Sequence, residues 1–449
     1  NFNDSAGEWT SPQDKGLYGA AKVVYVNYVN GLKDPTVSIK TAIKNRLGEA
    51  KITWKSNKAK AVFDLSKDTL KTVADNSVSM VATLDNSFIG RQGLFTLGTH
   101  PSKWWPGAKN SFIDFAKTIG GKNTKNALMA DIYSRPRYLN GEYQKAGLVS
   151  TVEEQYPTSM PERIPGIGRA FKASQEAFVG SGLRMRLGVY DMLADKAAKN
   201  GVDVKNVLSK DLGTMINALT MRGKWGERGI PKVIRLVMWA PDMLKGQLDV
   251  LTAHYLGAGL ETAFVRKEAA KNILKLVSEA ATIMLVANAI KPGSAETNPT
   301  SSDFGKIKIG DTRFNYTGGA NALIILAARL RPDFMGGGEY KSVTTGKMIK
   351  YEPGFGKRSR FDAVIDFLAN KTNPPASMVR DWLRGRTFDN KDFTAKGAAY
   401  RAFTPITVQQ AIQLKDNASA DRVAGVLADA IGINATSFED KKHRNNKFR

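Results

Sequence analysis

Hydrophobic residues recur at helical spacing over much of the chain after residue 167. Phe171, Phe178, Met185 and Met192 follow one another every seven residues, and the nearby arginines and lysines fall off this line. This pattern predicts a long helix, which should end at Gly201 because glycine commonly follows a helix C-terminus. We expect the four-residue stripe to pack in a core or against other copies of the chain.

The clearest helix is predicted over residues 263–290. Lys267, Lys271, Lys275 and Glu279 lie four residues apart and form one polar line. Beyond Glu279 the pattern is apolar on every side, which predicts a core helix whose last three turns are enclosed. The alternative is a segment that contacts a bilayer or lines a channel. Because the uncharged run 280–290 is shorter than the roughly 20 residues of a membrane span, we expect no stable span.

Short alternating runs predict two β-hairpins. One covers residues 306–316 and turns at Gly310, and the other covers 340–351 and turns near Gly346. Helices are expected between the hairpins and after residue 360. Nearer the start, a hairpin at 51–65 and a helix at 67–84 are expected, and Trp104 and Trp105 precede a short helix. One of these two rings should lie in a core and the other at an interface.

The fold class that follows is mainly α-helical, with several segments and small antiparallel β-hairpin insertions. Four regions are predicted. They are a mixed α/β region at 1–150, a helical core at 151–292, a loop and hairpin region at 293–360, and a helical C-terminal region with a basic tail at 361–449.

Composition narrows the possible functions. The 449 residues include 66 Lys and Arg against 42 Asp and Glu, a formal net charge of +24, and no cysteine. Without cysteine the chain has no disulfides, iron–sulfur clusters, thiolate zinc sites or cysteine nucleophile. A hydrophobic content of 42% is too high for a wholly disordered protein.

The positive charge attracts nucleic acid, anionic lipid or acidic partners. Two clusters are candidate phosphate contacts, although solvated surface charge is the plainer interpretation. The candidates are Lys357, Arg358, Arg360, Lys441, Lys442 and Arg444.

Catalytic signals are weak. His100, His254 and His443 are too scattered to predict a metal site, and no nucleotide-binding or nucleophile motif predicts a cofactor. Glu176 is the candidate acid for cell-wall hydrolysis, with a pair of glutamates at 153–154 as the other option. The sequence favours a non-enzymatic role without deciding the question.

Six runs between residues 85 and 432 resemble one family. They are DNSFIGRQG, ADIYSRPRYLNGEYQKAGL, PERIPGIGRAFKASQEAFVG, FVRKEAAKN, SSDFGKIKIGDTRFNYTGG and NPPASMVRDWLRGRTFD. Together they resemble very large virion proteins of tailed phages that carry polyvalent-protein-associated domains.

The resemblance implies an internal virion protein, held inside the capsid or at the portal vertex and delivered towards the host envelope on infection. Its expected partners are the double-stranded DNA genome, the portal or tail, other internal virion proteins and further copies of itself, with transient host membrane contact as an option. Because the chain begins with Asn1, we expect a processed form or part of a longer product. The alternatives are a lytic enzyme, an auxiliary segment of a packaged polymerase, or a non-specific DNA-binding protein.

Overall fold

The computed structural model describes residues 88–149, 168–225, 238–256, 259–343, 345–352, 357–372, 374–385 and 419–437, with a few isolated positions elsewhere. The predicted hairpin at 51–65, the helix at 67–84 and the glutamates at 153–154 lie outside these residues. So do Lys441, Lys442 and Arg444 of the basic tail.

The described chain is mostly helical with two small antiparallel sheets, which confirms the predicted fold class. The helices are α1 Leu94–Thr99, α2 Pro101–Ile119, α3 Thr124–Ser134, α4 Pro136–Leu139, α5 Glu142–Lys145, α6 Gly168–Ala198, α7 Ser209–Leu219, α8 Pro241–Leu251, α9 Ala263–Ile290, α10 Asn321–Leu330, α11 Arg360–Ala369, α12 Pro374–Arg384 and α13 Ala420–Ala430. The strands are β1 Lys306–Ile309, β2 Thr312–Asn315, β3 Glu339–Lys341, β4 Met348–Lys350 and β5 Ala435–Ser437.

Helix α6 is the central element of the main core and packs along α2. Its predicted stripe is internal, because Phe171 and Met185 are fully buried while Phe178 and Met192 are partly buried against other core residues. The stripe therefore packs largely within the chain. Gly201, at a φ of +74°, follows the helix at the predicted end.

Helix α2 is longer than the sequence indicated. It begins at Pro101 and includes Trp104, Trp105 and Pro106, because proline is compatible with the first helical turn and the later proline is tolerated within the helix. The indole of Trp104 donates to the carbonyl of Ile89 at 3.0 Å, whereas Trp105 is 64% exposed. One ring thus lies inside and the other outside.

A second core joins α1, α7, α8 and α10 through Phe95, Leu219, Val250 and Ala320. Beside it lies the three-stranded sheet, in which β1 and β2 form the predicted hairpin and β2 also pairs with β5. Strands β3 and β4 form the second predicted hairpin.

The C-terminal segment returns to the first described turn, Phe88–Gln92, where the amide of Gly90 donates to the carbonyl of Ile431 at 2.9 Å. This contact and the pairing of β5 tie the end of the described chain to its beginning.

Candidate functional site

Helix α9 is anchored at its N-terminus by a buried carboxylate. Asp211 of α7 accepts hydrogen bonds from the amides of Glu261 and Thr262, at 2.8 and 2.7 Å, and from the hydroxyl of Thr262 at 2.8 Å. A negative charge at a helix N-terminus satisfies free amides and interacts favourably with the helix dipole. Asp211 therefore sets where α9 begins.

The following turns of α9 are also docked. Glu268 accepts hydrogen bonds from Lys196 of α6 at 2.8 Å and from Lys271 at 3.0 Å. Burial opposes ionisation of Glu268, but these bonds outweigh it and lower the pKa of the carboxyl below its usual value. One turn later, Lys275 donates to the carbonyl of Thr99 at 2.9 Å.

The C-terminal part of α9 is exposed. An 18-residue window of this 28-residue helix has a mean hydropathy of 1.7, and none of the window is buried. Leu274, Leu285 and Ile290 are 67%, 72% and 81% exposed. The expectation of a fully enclosed core helix is therefore wrong for the described part of the chain, whose elements cover only one side of these turns.

That covered side faces the second core. Ile273, Leu276 and Ile283 of α9 line a narrow apolar crevice of about 90 Å³ together with residues of α1, α8 and α10. Helix α9 as a whole is also long and apolar enough to cross a membrane by length and composition, although the uncharged run 280–290 alone is too short; the expectation of no stable span stays a prediction. Within the described residues it is the one helix with this property.

The apolar surface ends at a basic rim. After α9 the chain folds back, and Asn288 donates to the carbonyl of Ala295 at 2.9 Å. Lys291 and Lys308 are exposed there. Three further cations line the adjoining groove and pair with acids: Lys306 and Arg313 with Asp303, and Lys341 with Glu296.

The predicted phosphate contacts near residue 358 are occupied by carboxylates. Lys357 pairs with Glu352, Arg358 with Asp366, and Arg360 with Asp333. Each of these three cations therefore already has a carboxylate partner on the surface.

Glu176, the candidate catalytic acid, is only 3% exposed and lies under the contact between α2 and α6. Its Oε2 accepts hydrogen bonds from the hydroxyls of Thr118 at 2.8 Å and Thr124 at 2.5 Å, and from the amide of Lys125 at 3.3 Å. Lys172 lies 3.8 Å from the other oxygen. The carboxylate thus caps the N-terminus of α3, a position that supports packing.

The two histidines in the described region, His100 and His254, are both buried. Among the described residues no group of three His, Asp or Glu side chains could hold a metal ion. Among the described residues, the structure does not bring Glu176 and the cations Lys357, Arg358 and Arg360 together into a shared chemical site.

Sequence reasoning missed Asp211 as the residue that anchors α9, because only the fold brings α7 to that helix end. The exposed side of α9 was also missed, since an all-round apolar pattern is the same whether or not a neighbour covers it.

Comparison with known proteins identifies no relative: no family model, no curated protein and no solved structure matches this chain. The likeness to phage virion proteins stays a prediction.

Proposed function

We propose that this chain is an internal virion protein of a tailed phage that is ejected on infection and, as a homo-oligomer, forms part of the conduit for the DNA genome. The observation that supports the proposal best is the exposed apolar half of α9 on a chain with a net charge of +24. Such a surface requires a cover when the protein works.

The dimensions of α9 suit the interior of a bilayer. Eighteen helical residues extend over about 27 Å, close to the roughly 30 Å thickness of the hydrocarbon layer. Lys291 and Lys308 lie at the end of this surface, where ammonium groups can reach anionic headgroups. We infer that the host membrane covers the exposed half of α9 during ejection.

The lytic alternative has less support. Of its two candidate acid sites, only Glu176 lies in the described part of the chain, and its Oε2 already accepts three hydrogen bonds beneath a helix contact. A general acid needs access to its substrate.

Vesicle flotation with the full chain tests the membrane step. Vesicles of phosphatidylethanolamine and phosphatidylglycerol should carry the wild type upward in a density gradient. Leu285→Lys should weaken partitioning into these vesicles by about a hundredfold, since a lysine inside a bilayer costs about 3 kcal/mol. The matched control is Leu256→Lys, because Leu256 and Leu285 are both 72% exposed. Equal flotation of the two variants would contradict the proposal.

The ejection step has its own test. Mass spectrometry of particles before and after genome release should show the chain leaving with the DNA. Full retention in the emptied particles would rule out ejection, whatever the vesicle result.

A further inference from the structure

A cavity of about 480 Å³ lies between α10, α11 and the three-stranded sheet. Segments distant in sequence form it. They include Arg91 from the first described turn, the Gly318-Gly319 turn before α10, Lys371 after α11, and Asn434 beside β5.

The glycine turn gives the cavity a rigid wall. Gly318 and Gly319 have φ angles of +61° and +86°, and Gln247 donates to the Gly318 carbonyl at 2.9 Å. A Cβ on Gly318 would lie 2.9 Å from the carbonyl oxygen of Arg91, so this close approach requires glycine.

Cations outnumber acids around the cavity. Among the described lining residues are four cationic side chains, Arg91, Lys306, Arg329 and Lys371, against the single carboxylate of Asp366. That carboxylate is already bound by Arg358, which lies outside the lining. Two of the cations also have acid partners outside the lining, since Lys306 pairs with Asp303 and Arg91 lies 4.0 Å from Asp429. The excess of positive charge therefore belongs to Arg329 and Lys371.

Two of these cations form no ion pair with a carboxylate among the described residues. Arg329 donates to neutral acceptors, the Thr300 carbonyl at 2.8 Å and the Ser302 hydroxyl at 2.9 Å. The ammonium of Lys371 lies 5.7 Å from the ring centre of Phe367 and, within the described residues, makes no hydrogen bond or ion pair.

Burial carries a cost for both groups. It lowers the pKa of Lys371, and it is the largest cause lowering the pKa of Arg329. Desolvated cations without a counter-charge are unfavourable, and an anion bound in the cavity would reduce that cost.

We propose that this cavity binds a small phosphate-bearing ligand of mononucleotide size. A guanidinium and an ammonium are the side chains that recognise phosphate, and the volume lies in the range of small-molecule sites. Trp239, Ile325 and Phe367 supply an apolar wall for the organic part of the ligand. The inference is independent of the membrane role, since α9 contributes nothing to the lining.

Calorimetric titration of the full chain with AMP and with pyrophosphate tests the site. Lys371→Met should weaken binding of both probes by about tenfold, equivalent to about 1.4 kcal/mol. Lys109→Met removes the same charge from an exposed position on α2 outside the lining and should leave binding unchanged. Absence of binding by the wild type, or equal loss in both variants, would overturn the proposal.

A second readout separates binding from folding. Because the ammonium of Lys371 is desolvated and has no ion-pair partner among the described residues, Lys371→Met should raise the melting temperature of the free chain. The same change should weaken binding of AMP and pyrophosphate. A variant that lowers the melting temperature and the affinity together would indicate a structural role and contradict the assignment. A single-stranded oligonucleotide that competes with AMP, and binds more tightly than it, would assign the cavity to DNA and overturn the small-ligand proposal.

Discussion

His100 lies at the junction of α1 and α2, close to the docked part of α9. Its ring nitrogen Nδ1 is 2.9 Å from the hydroxyl of Thr99, and Lys275 of α9 donates to the carbonyl of the same threonine. Burial is the main cause that lowers the pKa of His100 to about 4. The charges of Lys275 and Lys196 lower this pKa further, and Glu268 opposes them.

The stability of the protein should therefore depend on pH through this residue. Above pH 6.5 the imidazole is neutral in the folded and unfolded states, so it contributes no dependence. Between pH 6.5 and about 4 the unfolded chain binds the proton first, and the free energy of unfolding should fall by up to about 3 kcal/mol. Urea titrations at pH 7 and pH 4.5 measure the decrease, and His100→Gln should reduce it. If the free energy of unfolding falls by the same amount in that variant, groups other than His100 cause the effect.

At the scale of elements, α9 packs on α1 at Gly98. A Cβ at this position would come within 1.8 Å of a carboxylate oxygen of Glu279 and 2.9 Å of Leu276. The missing side chain therefore lets the two helices approach closely. Only the docked side of α9 depends on this contact, because the other side is exposed.

Gly98→Ala should loosen this contact. The extra methyl group would displace the Glu279 carboxylate and the end of the Leu276 side chain, so amide hydrogen exchange across α9 should accelerate. Gly188→Ala on α6 is the matched control, since its nearest neighbour, a side-chain atom of Lys103, is 3.6 Å away. The control should stabilise its helix by up to about 1 kcal/mol. Exchange in α9 that is unaffected by Gly98→Ala would contradict the close-contact interpretation.

At the scale of the whole molecule, charge is spread along the chain. The three cations that the sequence marked near residue 358 are each paired with an acid, so the proposed binding to DNA should depend on many weak phosphate contacts elsewhere on the chain. Such binding has no base specificity and weakens steeply with salt.

The logarithm of the affinity for a 30-base-pair duplex should fall linearly with the logarithm of the salt concentration. Replacing Lys357, Arg358 and Arg360 by alanine should leave that slope almost unchanged, because carboxylates already compensate these charges. A decrease of the slope by about 2.7, the value for three lost phosphate contacts, would show that this cluster binds DNA directly.

The sequence by itself determined many of the elements of this protein. The limits of α9, the end of α6 shortly before Gly201 and the β1–β2 turn at Gly310 agree with the structure, because each depends on residues a few positions apart. The fold class follows from the same local patterns.

Only the tertiary structure decided how these elements meet. It paired β5 with β2, brought Thr118 and Thr124 to Glu176, gathered Arg91 and Lys371 at one cavity, and left one side of α9 uncovered. These outcomes depend on contacts between residues far apart in the chain. Such contacts form as the whole molecule packs, so they leave no periodic signal in the local sequence.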